Sequence, residues 1–187
     1  MDSARLEDTE HGLVPHGDGW FVVNARDARW HERPGRGALC EFEGEPEFGQ
    51  LGINVQVLGP GEPMSMYHWE ADQEDFLVLS GEAVLVIEGE ERPLRAWDFV
   101  HCPAGAKHTI VGAGAGHCVV VAIGARDRST GPEWGGYTVD PVALRHGAGV
   151  ERDTTDVDVA YARFVRRRPA RYREGWLPDP PPSANAS

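Results

Sequence analysis

The sequence predicts an all-β fold in which antiparallel strands form a sandwich or a barrel. Short runs of β-branched and apolar residues recur at intervals of about 8–12 residues, and no helical pattern separates them. Glycine and proline are frequent, at 23 and 14 of 187 residues, which is typical of a fold with many tight turns. This length is enough for one domain with short additions at its ends.

The sequence predicts little regular structure at the start of the chain. Residues 1–19 are mostly polar, and we expect a flexible N-terminal segment there. A short apolar run predicts a first strand at 20–23. Residues 49–58 alternate loosely, so that the apolar odd-numbered positions from 51 to 57 predict one buried face of a longer strand.

The densest β pattern lies in the centre of the chain. Glycine next to acidic residues at 88–91 is a hairpin turn signal. The apolar runs on either side of it, together with those further along the chain, predict strands at 76–79, 83–87, 99–102, 108–111 and 119–123.

The composition changes after Gly124, and we expect a loop at 126–136. Thr155 and Asp156 are suited to cap a helix, and apolar residues follow them at helical spacing. The sequence therefore predicts three units after the N-terminal segment. They are a barrel at 20–150, a helix at 151–172 that packs on it, and a proline-rich tail at 173–187.

The charge of the chain argues against nucleic acid as a partner. The net charge is −12, and such a chain repels a phosphate backbone. One basic cluster, from Arg163 to Arg171, is interpreted as a solvated or partner-facing helix end. The N-terminus has no apolar signal core, and no apolar run approaches the length of a membrane span. Three cysteines without a close pair predict free thiols in a cytoplasmic protein.

Two histidines and two carboxylates suggest a metal site. His68, Glu70, Glu74 and His108 combine neutral imidazole nitrogen, which suits first-row transition metals, with carboxylate charge that offsets a cation. His68 and Glu74 are separated by an even number of positions, so they can share one inward face. The proline and glycine at 103–105 allow a sharp turn that directs His108 inward.

These residues resemble the two signature motifs of the cupin superfamily. Glu74 to Gly81 has the interval of the first motif, and residues 103–108 match the second motif, P-x-G-x-x-H, in full. The resemblance covers about residues 50–125, with the core motifs at 61–112. It implies a double-stranded β-helix, or jelly-roll barrel, that is usually a dimer and holds one divalent metal ion in its mouth.

The chain departs from the cupin pattern at two motif positions. Glu70 replaces the second histidine of the H-x-H pair, and Trp97 replaces a glycine. An alternative alignment places Tyr67 and Trp69 in the histidine positions, but tryptophan has no lone pair for a metal.

The H-x-E-x-x-x-E spacing is similar to that of 3-hydroxyanthranilate dioxygenase, a cupin whose iron is bound by two histidines and one glutamate. This similarity implies His68, Glu74 and His108 as ligands, with Glu70 as a fourth ligand or a residue beside the ion. Met64 and Gly112 stand where that enzyme has substrate-binding arginines. The same reaction is therefore not expected.

The sequence leaves three functions open. The first is a metal-dependent oxygenase or dioxygenase acting on a small organic molecule, with Fe²⁺ favoured over Zn²⁺, Ni²⁺ or Mn²⁺ and with Glu70 as the catalytic base. The second is a binding module in which the metal or a small ligand is held without turnover. The third is a metal-free cupin that resembles sugar epimerases. We expect a homodimer whose pocket is lined by Met66, Tyr67, Phe76 and His101.

Overall fold

The computed structural model describes residues 1–127 and 133–179 of the chain. Antiparallel strands dominate these residues, as the sequence predicts, and both helices are short. In chain order the elements are β1 Arg5–Thr9, β2 Gly12–His16, β3 Trp30–Glu32, β4 Ala38–Glu41, β5 Leu51–Leu58, β6 His68–Glu70, β7 Glu74–Ser80, β8 Glu82–Ile87, β9 Glu90–Arg95, β10 Phe99–Cys102, β11 His108–Ala113, β12 Cys118–Ala125, β13 Gly135–Tyr137, α1 Pro141–Arg145, α2 Val157–Ala160 and β14 Arg168–Ala170.

Two large sheets form the barrel. The larger sheet has the strand order β10-β7-β12-β5-β4-β3-β14, and the smaller has the order β13-β6-β11-β8-β9. Strands that are distant in sequence are therefore neighbours, as β7 and β12 are. This arrangement is a jelly roll, and it confirms the predicted fold class. It also brings the beginnings of β6, β7 and β11 to one end of the barrel.

The core lies between the two sheets and follows the two-residue period of the strands. On β7, Phe76 and Val78 are buried, while Leu77 between them is only partly buried. They pack in one cluster with Leu85 of β8, Ile110 of β11 and Val120 of β12. Complete burial of each such apolar side chain stabilises the fold by about 1.5–3 kcal/mol relative to its exposure.

The predicted hairpin turn joins β8 to β9. Glu88 and Gly89 occupy it with φ of 48° and 77°. Two successive positive φ values are typical of the tight turn whose twist matches that of paired strands. The turn sets the register in which Ile87 pairs with Glu90.

A second apolar cluster covers the outer face of the large sheet. Trp30 of β3 is fully buried at its centre, and Val55 and Val57 of β5 pack there as well. The aromatic rings of Tyr172 and Trp176 lie against Trp30, with centroids 5.9 and 5.0 Å from it. Part of the predicted tail is therefore packed on the barrel. The rest of that prediction, residues 180–187, lies outside the described residues.

The two ends of the chain differ from the sequence prediction. Within 1–19, where we expected a flexible segment, β1 and β2 form a hairpin. The predicted strand at 20–23 is absent, and only Trp20 forms an isolated bridge, with Ser3. Both strands are short and lack the regular apolar alternation by which sequence analysis identifies a strand.

The C-terminal helix is present but much shorter than the predicted 151–172. Asp156 caps it as expected, through its side chain and the backbone amides of Asp158 and Val159. The helix ends after one turn, and β14 then pairs with β3. Pro169 lies in this later segment, where a helix would lose a backbone hydrogen bond. The predicted loop at 126–136 includes residues 128–132, which lie outside the described residues.

The cysteines agree with the expectation of free thiols. Cys40, Cys102 and Cys118 are all buried and unpaired. Burial raises the thiol pKa of Cys40 to about 12 and that of Cys118 to about 11, so these two remain protonated at neutral pH. Within 1–127 and 133–179, neither helix is long and apolar enough to cross a bilayer.

Candidate metal centre

Three strands bring the first residue of each to one point. His68 begins β6, Glu74 begins β7 and His108 begins β11. One potential ligand atom from each of them lies within 4.8 Å of the other two. Glu74 Oε2 is 3.5 Å from His68 Nε2 and 3.2 Å from His108 Nε2. The structure thus brings together three of the four residues that the sequence suggests as metal ligands.

Backbone carbonyls orient both imidazoles. His68 Nδ1 lies 2.9 Å from the carbonyl of Met66, and His108 Nδ1 lies 3.0 Å from that of Ala106. A carbonyl only accepts, so Nδ1 must be the donor in each ring. In the neutral ring Nε2 then carries the lone pair, and this atom lies 3.5 Å from Glu74 Oε2 in His68 and 3.2 Å from it in His108. Metal-binding histidines commonly have this arrangement, in which the second nitrogen is held by a carbonyl or a carboxylate.

The turn before β11 fixes the position of His108. Gly105 has a φ of 86°, a left-handed conformation that glycine adopts without steric cost. Its amide donates to the carbonyl of Glu70 at 2.8 Å. The turn at residues 103–105 is thereby attached to β6, and His108 follows as the cross-strand partner of His68.

Two buried polar atoms in this group have no hydrogen-bond partner. They are Glu74 Oε2 and His108 Nε2. They are 3.2 Å apart, but the contact is not aligned as a hydrogen bond. A buried polar atom left unsatisfied costs about 1–3 kcal/mol, and more when it is charged. A divalent cation bound by both atoms would remove this cost, so the residues present fit a metal ion.

The carboxylates shift the proton equilibria of the two histidines. Burial alone would lower the pKa of His68, but Glu70 and Glu74 outweigh it and raise that pKa to about 10. Burial likewise opposes protonation of His108, yet Cys102 and Glu74 raise its pKa to about 9. Glu74 is the converse case. Burial would raise its pKa, but the two histidines lower it to about 2. A proton and a metal ion therefore compete for this site.

Glu70 lies beside the group and not within it. It follows His68 by two residues on β6, so both side chains share a face. Its Oε1 is 3.6 Å from His68 Nε2, and the side chain is 25% exposed. The group within 4.8 Å includes His68, Glu74 and His108 without it. Its carboxylate instead lines the adjoining cavity.

A cavity of about 280 Å³ opens onto these carboxylates. Of the four residues predicted to line it, Phe76 does so. Met66 is buried beside a different cavity, and Tyr67 points away from His68 into a cluster with Val86. His101 lies on the exposed face of its strand, 2.7 Å from Asp75. The alternation of side chains along a strand explains these differences, because Tyr67 and His68 project to opposite faces.

Sequence analysis missed several residues of the cavity wall. Asn54 and Gln56 of β5 face the cavity, and the aromatic residues Trp134, Tyr137 and Tyr161 form another part of its wall. Burial raises the pKa of the Tyr137 hydroxyl. We had assigned the buried face of β5 to its odd-numbered residues. The two polar residues that alternate with them were a signal that the other face was also functional.

A cupin domain model matches residues 54–124. This segment contains β5 to β12, including all three residues of the metal group. The fold and the site together define a class of protein. Its members are antiparallel jelly rolls with two histidines and a glutamate at the mouth of the barrel. Residues 54–124 of the chain are therefore a cupin domain.

Solved structures with similarity to this chain include enzymes and proteins without a stated activity. A structure from Acidithiobacillus ferrooxidans is 32% identical, with a TM-score of 0.40, and the match covers 42% of this chain and 51% of that one. A sugar phosphate isomerase from Silicibacter pomeroyi is 27% identical, with a TM-score of 0.44 and coverage of 55% and 62%. The chain thus spans about half to three fifths of the length of these two.

A third similar structure is the polyketide cyclase RemF from Streptomyces resistomycificus. It is 15% identical, with a TM-score of 0.49, and the match covers 56% of this chain and 78% of the cyclase. A comparison with curated proteins finds no match.

Proposed function

We propose that this protein is a metal-dependent cupin enzyme that acts on a small organic molecule. The observation that supports this most directly is the group of His68, Glu74 and His108. Its two unsatisfied buried atoms, Glu74 Oε2 and His108 Nε2, lie 3.2 Å apart. The group adjoins a cavity that is open to solvent and has further polar and aromatic residues in its wall. Binding sites for small molecules commonly combine these features.

The donor set suits a first-row divalent ion such as Fe²⁺, Zn²⁺, Ni²⁺ or Mn²⁺. Such an ion, when bound, supplies Lewis acidity and orients a substrate that chelates it. The two imidazoles and Glu74 would hold the ion. The carbonyls of Met66 and Ala106 keep both rings in the tautomer that presents Nε2.

Glu70 is the proposed general base of the site. Its carboxylate reaches the cavity and lies outside the group of three ligands. A proton removed from a substrate would be held at Glu70 Oε1, close to the His68 ring. The aromatic rings of Phe76, Trp134 and Tyr137 line the same space and limit the water that surrounds the reacting group.

The most specific form of the proposal is an oxygenase or dioxygenase with Fe²⁺. Two histidines and one carboxylate are the ligand set of many non-haem iron oxygenases. The test is oxygen consumption by the Fe²⁺-loaded protein with a panel of small aromatic and enol substrates. We expect consumption by the wild type and its loss in His108→Ala. Equal rates in both proteins, or none with any substrate, would refute the oxygenase assignment.

A binding module without turnover is the second candidate, and the size of the cavity favours it. A volume of about 280 Å³ is at the lower limit for sites that bind small molecules. In that case the protein would carry a tightly held ion after purification without chelator or nickel resin. Elemental analysis would detect this ion, and no substrate would be converted.

A metal-free epimerase-like cupin is the third candidate. It requires a histidine–aspartate or tyrosine pair inside the barrel. His101 and Asp75 form such a pair, but His101 is half exposed and neither residue lines the cavity. This geometry disfavours His101 and Asp75 as a catalytic pair. Stoichiometric metal in the purified protein would exclude it, and its absence would support it.

A further inference from the structure

A second cleft, distinct from the metal cavity, contains four arginines. It lies between the loop at 33–37 and the segment that includes α2 and the residues after it, and its volume is about 820 Å³. Arg33, Arg36, Arg166 and Arg167 line it, and Asp158 is the one acidic residue of its lining within 1–127 and 133–179. This concentration of positive charge occurs in a chain with a net charge of −12.

Arg33 is a buried cation without a counter-charge. It is 5% exposed. Its guanidinium donates to the carbonyls of Met64 and Arg36, at 3.3 and 3.0 Å, and to Gln56 Oε1 at 2.5 Å. These acceptors are all neutral, and the Nε atom has no partner. Burial, together with the charge of Arg36, lowers the pKa of Arg33 to about 9. A buried charge without compensation is costly, so its retention suggests a function.

Arg36 is oriented by aromatic rings. Its guanidinium carbon lies 4.2 Å from the ring centroid of Tyr161 and 5.4 Å from that of Phe164. Its Nε is buried without a partner. Among the described residues, no carboxylate oxygen lies within 4.0 Å of a guanidinium nitrogen of Arg33 or Arg36, so neither side chain forms an ion pair. Stacking fixes the plane of the guanidinium and leaves its charge unneutralised.

The other two arginines of the cleft have acidic partners. Arg166 pairs with Asp158 at 3.5 Å, and Arg167 pairs with Glu41. The uncompensated charge of the cleft is therefore that of Arg33 and Arg36, which are adjacent and together carry two positive charges.

We propose that this cleft binds the phosphate group of a small phosphate monoester through Arg33 and Arg36. A phosphate monoester carries about −1.5 to −2 at neutral pH, which matches the two guanidiniums that have no carboxylate partner, whereas a single carboxylate would compensate only one. The planar fork of arginine also suits bidentate contacts with phosphate oxygens. The depth of Arg33 favours a small ligand over a macromolecular surface.

This site is independent of the proposed metal. Tyr137 and Tyr161 line both the cleft and the metal cavity, and they separate the two spaces. Gln56 faces the metal cavity and accepts a hydrogen bond from Arg33. Since phosphate also binds metal ions, the experiment uses chelator-treated protein.

The test is isothermal titration calorimetry of the full chain in about 0.15 M NaCl with inorganic phosphate, glycerol 3-phosphate and acetate. We expect saturable binding of both phosphate compounds and binding of acetate that is about tenfold weaker or less. Arg36→Gln should weaken phosphate binding about tenfold or more, and Arg36→Lys should weaken it less. Arg92→Gln, which changes an exposed arginine paired with Glu90, should bind as the wild type does.

Three results would overturn the proposal. One is the absence of saturable binding up to about 10 mM phosphate. Another is acetate binding as tight as phosphate binding, and the third is an equal effect of the Arg36 and Arg92 variants. If Arg36→Gln does not fold, modification by phenylglyoxal decides the question in the wild type. Phosphate should then protect Arg36 and not Arg92, as measured by peptide mass spectrometry, and equal modification with and without phosphate would also refute the site.

Discussion

His68 and His108 lie directly opposite each other across the pair formed by β6 and β11, and their ring centroids are 4.9 Å apart. The same residue, His108, is also the partner of Ile87 on β8. The register of the hairpin at β8 and β9 and its pairing with β11 therefore determine where His108 lies. A slip of one residue would turn its ring to the opposite face and separate it from His68.

The first prediction concerns the separate roles of Glu74 and Glu70. Glu74→Gln keeps the shape of the side chain but removes a charge 3.2 Å from His108 Nε2. It should lower Zn²⁺ affinity more than about 100-fold, beyond the 10–100-fold typical of residues that only support ligands. Glu70→Gln should lower it less than about tenfold, because Glu70 lies outside the group of three. Calorimetry with Zn²⁺ measures both.

Glu47→Gln is the control for this pair, since Glu47 is exposed and remote from the cavity. It should bind Zn²⁺ as the wild type does. If Glu70→Gln lowers Zn²⁺ affinity as much as Glu74→Gln does, Glu70 is a fourth ligand. The proposal that Glu70 is an uncoordinated general base would then be wrong.

The second prediction concerns the pH dependence of metal binding. In the metal-free protein, Glu70 and Glu74 raise the pKa of His68 to about 10, and Cys102 and Glu74 raise that of His108 to about 9, so both rings are protonated at neutral pH. The metal must displace them, and affinity should rise with pH between about 6 and 8. Glu74, with a pKa of about 2, stays ionised across this range and adds nothing to the slope.

Calorimetry in buffers of different ionisation enthalpy measures the protons released. We expect about one to two protons per Zn²⁺ at pH 7. A heat of binding that is independent of the buffer, together with affinity that does not change with pH, would contradict the proposed ligand set.

The central strands and the metal group were predictable because the local sequence pattern is enough to place their side chains. Glu74, Phe76 and Val78 alternate on one strand, and the two-residue period alone places Glu74 with the core side chains. The turn at residues 103–105 was equally visible, since proline and glycine have strong backbone preferences. These features belong to short segments, and sequence patterns report such segments well.

The remaining parts depend on contacts between distant segments. Both faces of β5 are covered, one by Trp30 and its neighbours and the other by the metal cavity, and alternation cannot tell which face is which. The wall residues Trp134 and Tyr161 come from connections after β12, where no strand pattern indicates a position. Arg33 and Arg36 occur in a loop sequence that is unremarkable until Tyr161 is placed against it.

The third prediction concerns Trp97, which occupies a position where the cupin motif has glycine. Its φ is 75° and its side chain is 75% exposed. A non-glycine residue in this conformation costs about 1–3 kcal/mol, and little packing offsets the cost here. Trp97→Gly should therefore stabilise the protein by about 1 kcal/mol, after allowance for the greater freedom of glycine in the unfolded chain.

Urea denaturation measures this change. Trp20→Gly is the matched control, because Trp20 is also exposed and its φ is not positive. It should leave the stability unchanged or lower it. A destabilised Trp97→Gly protein would indicate that the Trp97 ring makes a contact that offsets its backbone strain, for example with a second copy of the chain.

The last prediction concerns the packing of the C-terminal segment on the barrel. Trp176 lies 5.0 Å from the ring of Trp30, which has no exposed surface, and Tyr172 completes the aromatic cluster. Trp176→Ala would leave Trp30 partly open to water. Since Trp176 is only half-buried, the cost should be about 2 kcal/mol, below the 3–5 kcal/mol typical of fully buried aromatic residues.

The measurement is the urea midpoint of Trp176→Ala relative to the wild type, at an unchanged slope. Trp97→Ala removes an equally large but exposed ring and should shift the midpoint far less. Because the cluster lies on the outer face of the large sheet, away from the metal group, Zn²⁺ affinity should be the same in Trp176→Ala. An unchanged midpoint would mean that the segment does not stabilise the barrel in solution, whereas lost Zn²⁺ affinity would mean that β5 couples the cluster to the metal cavity.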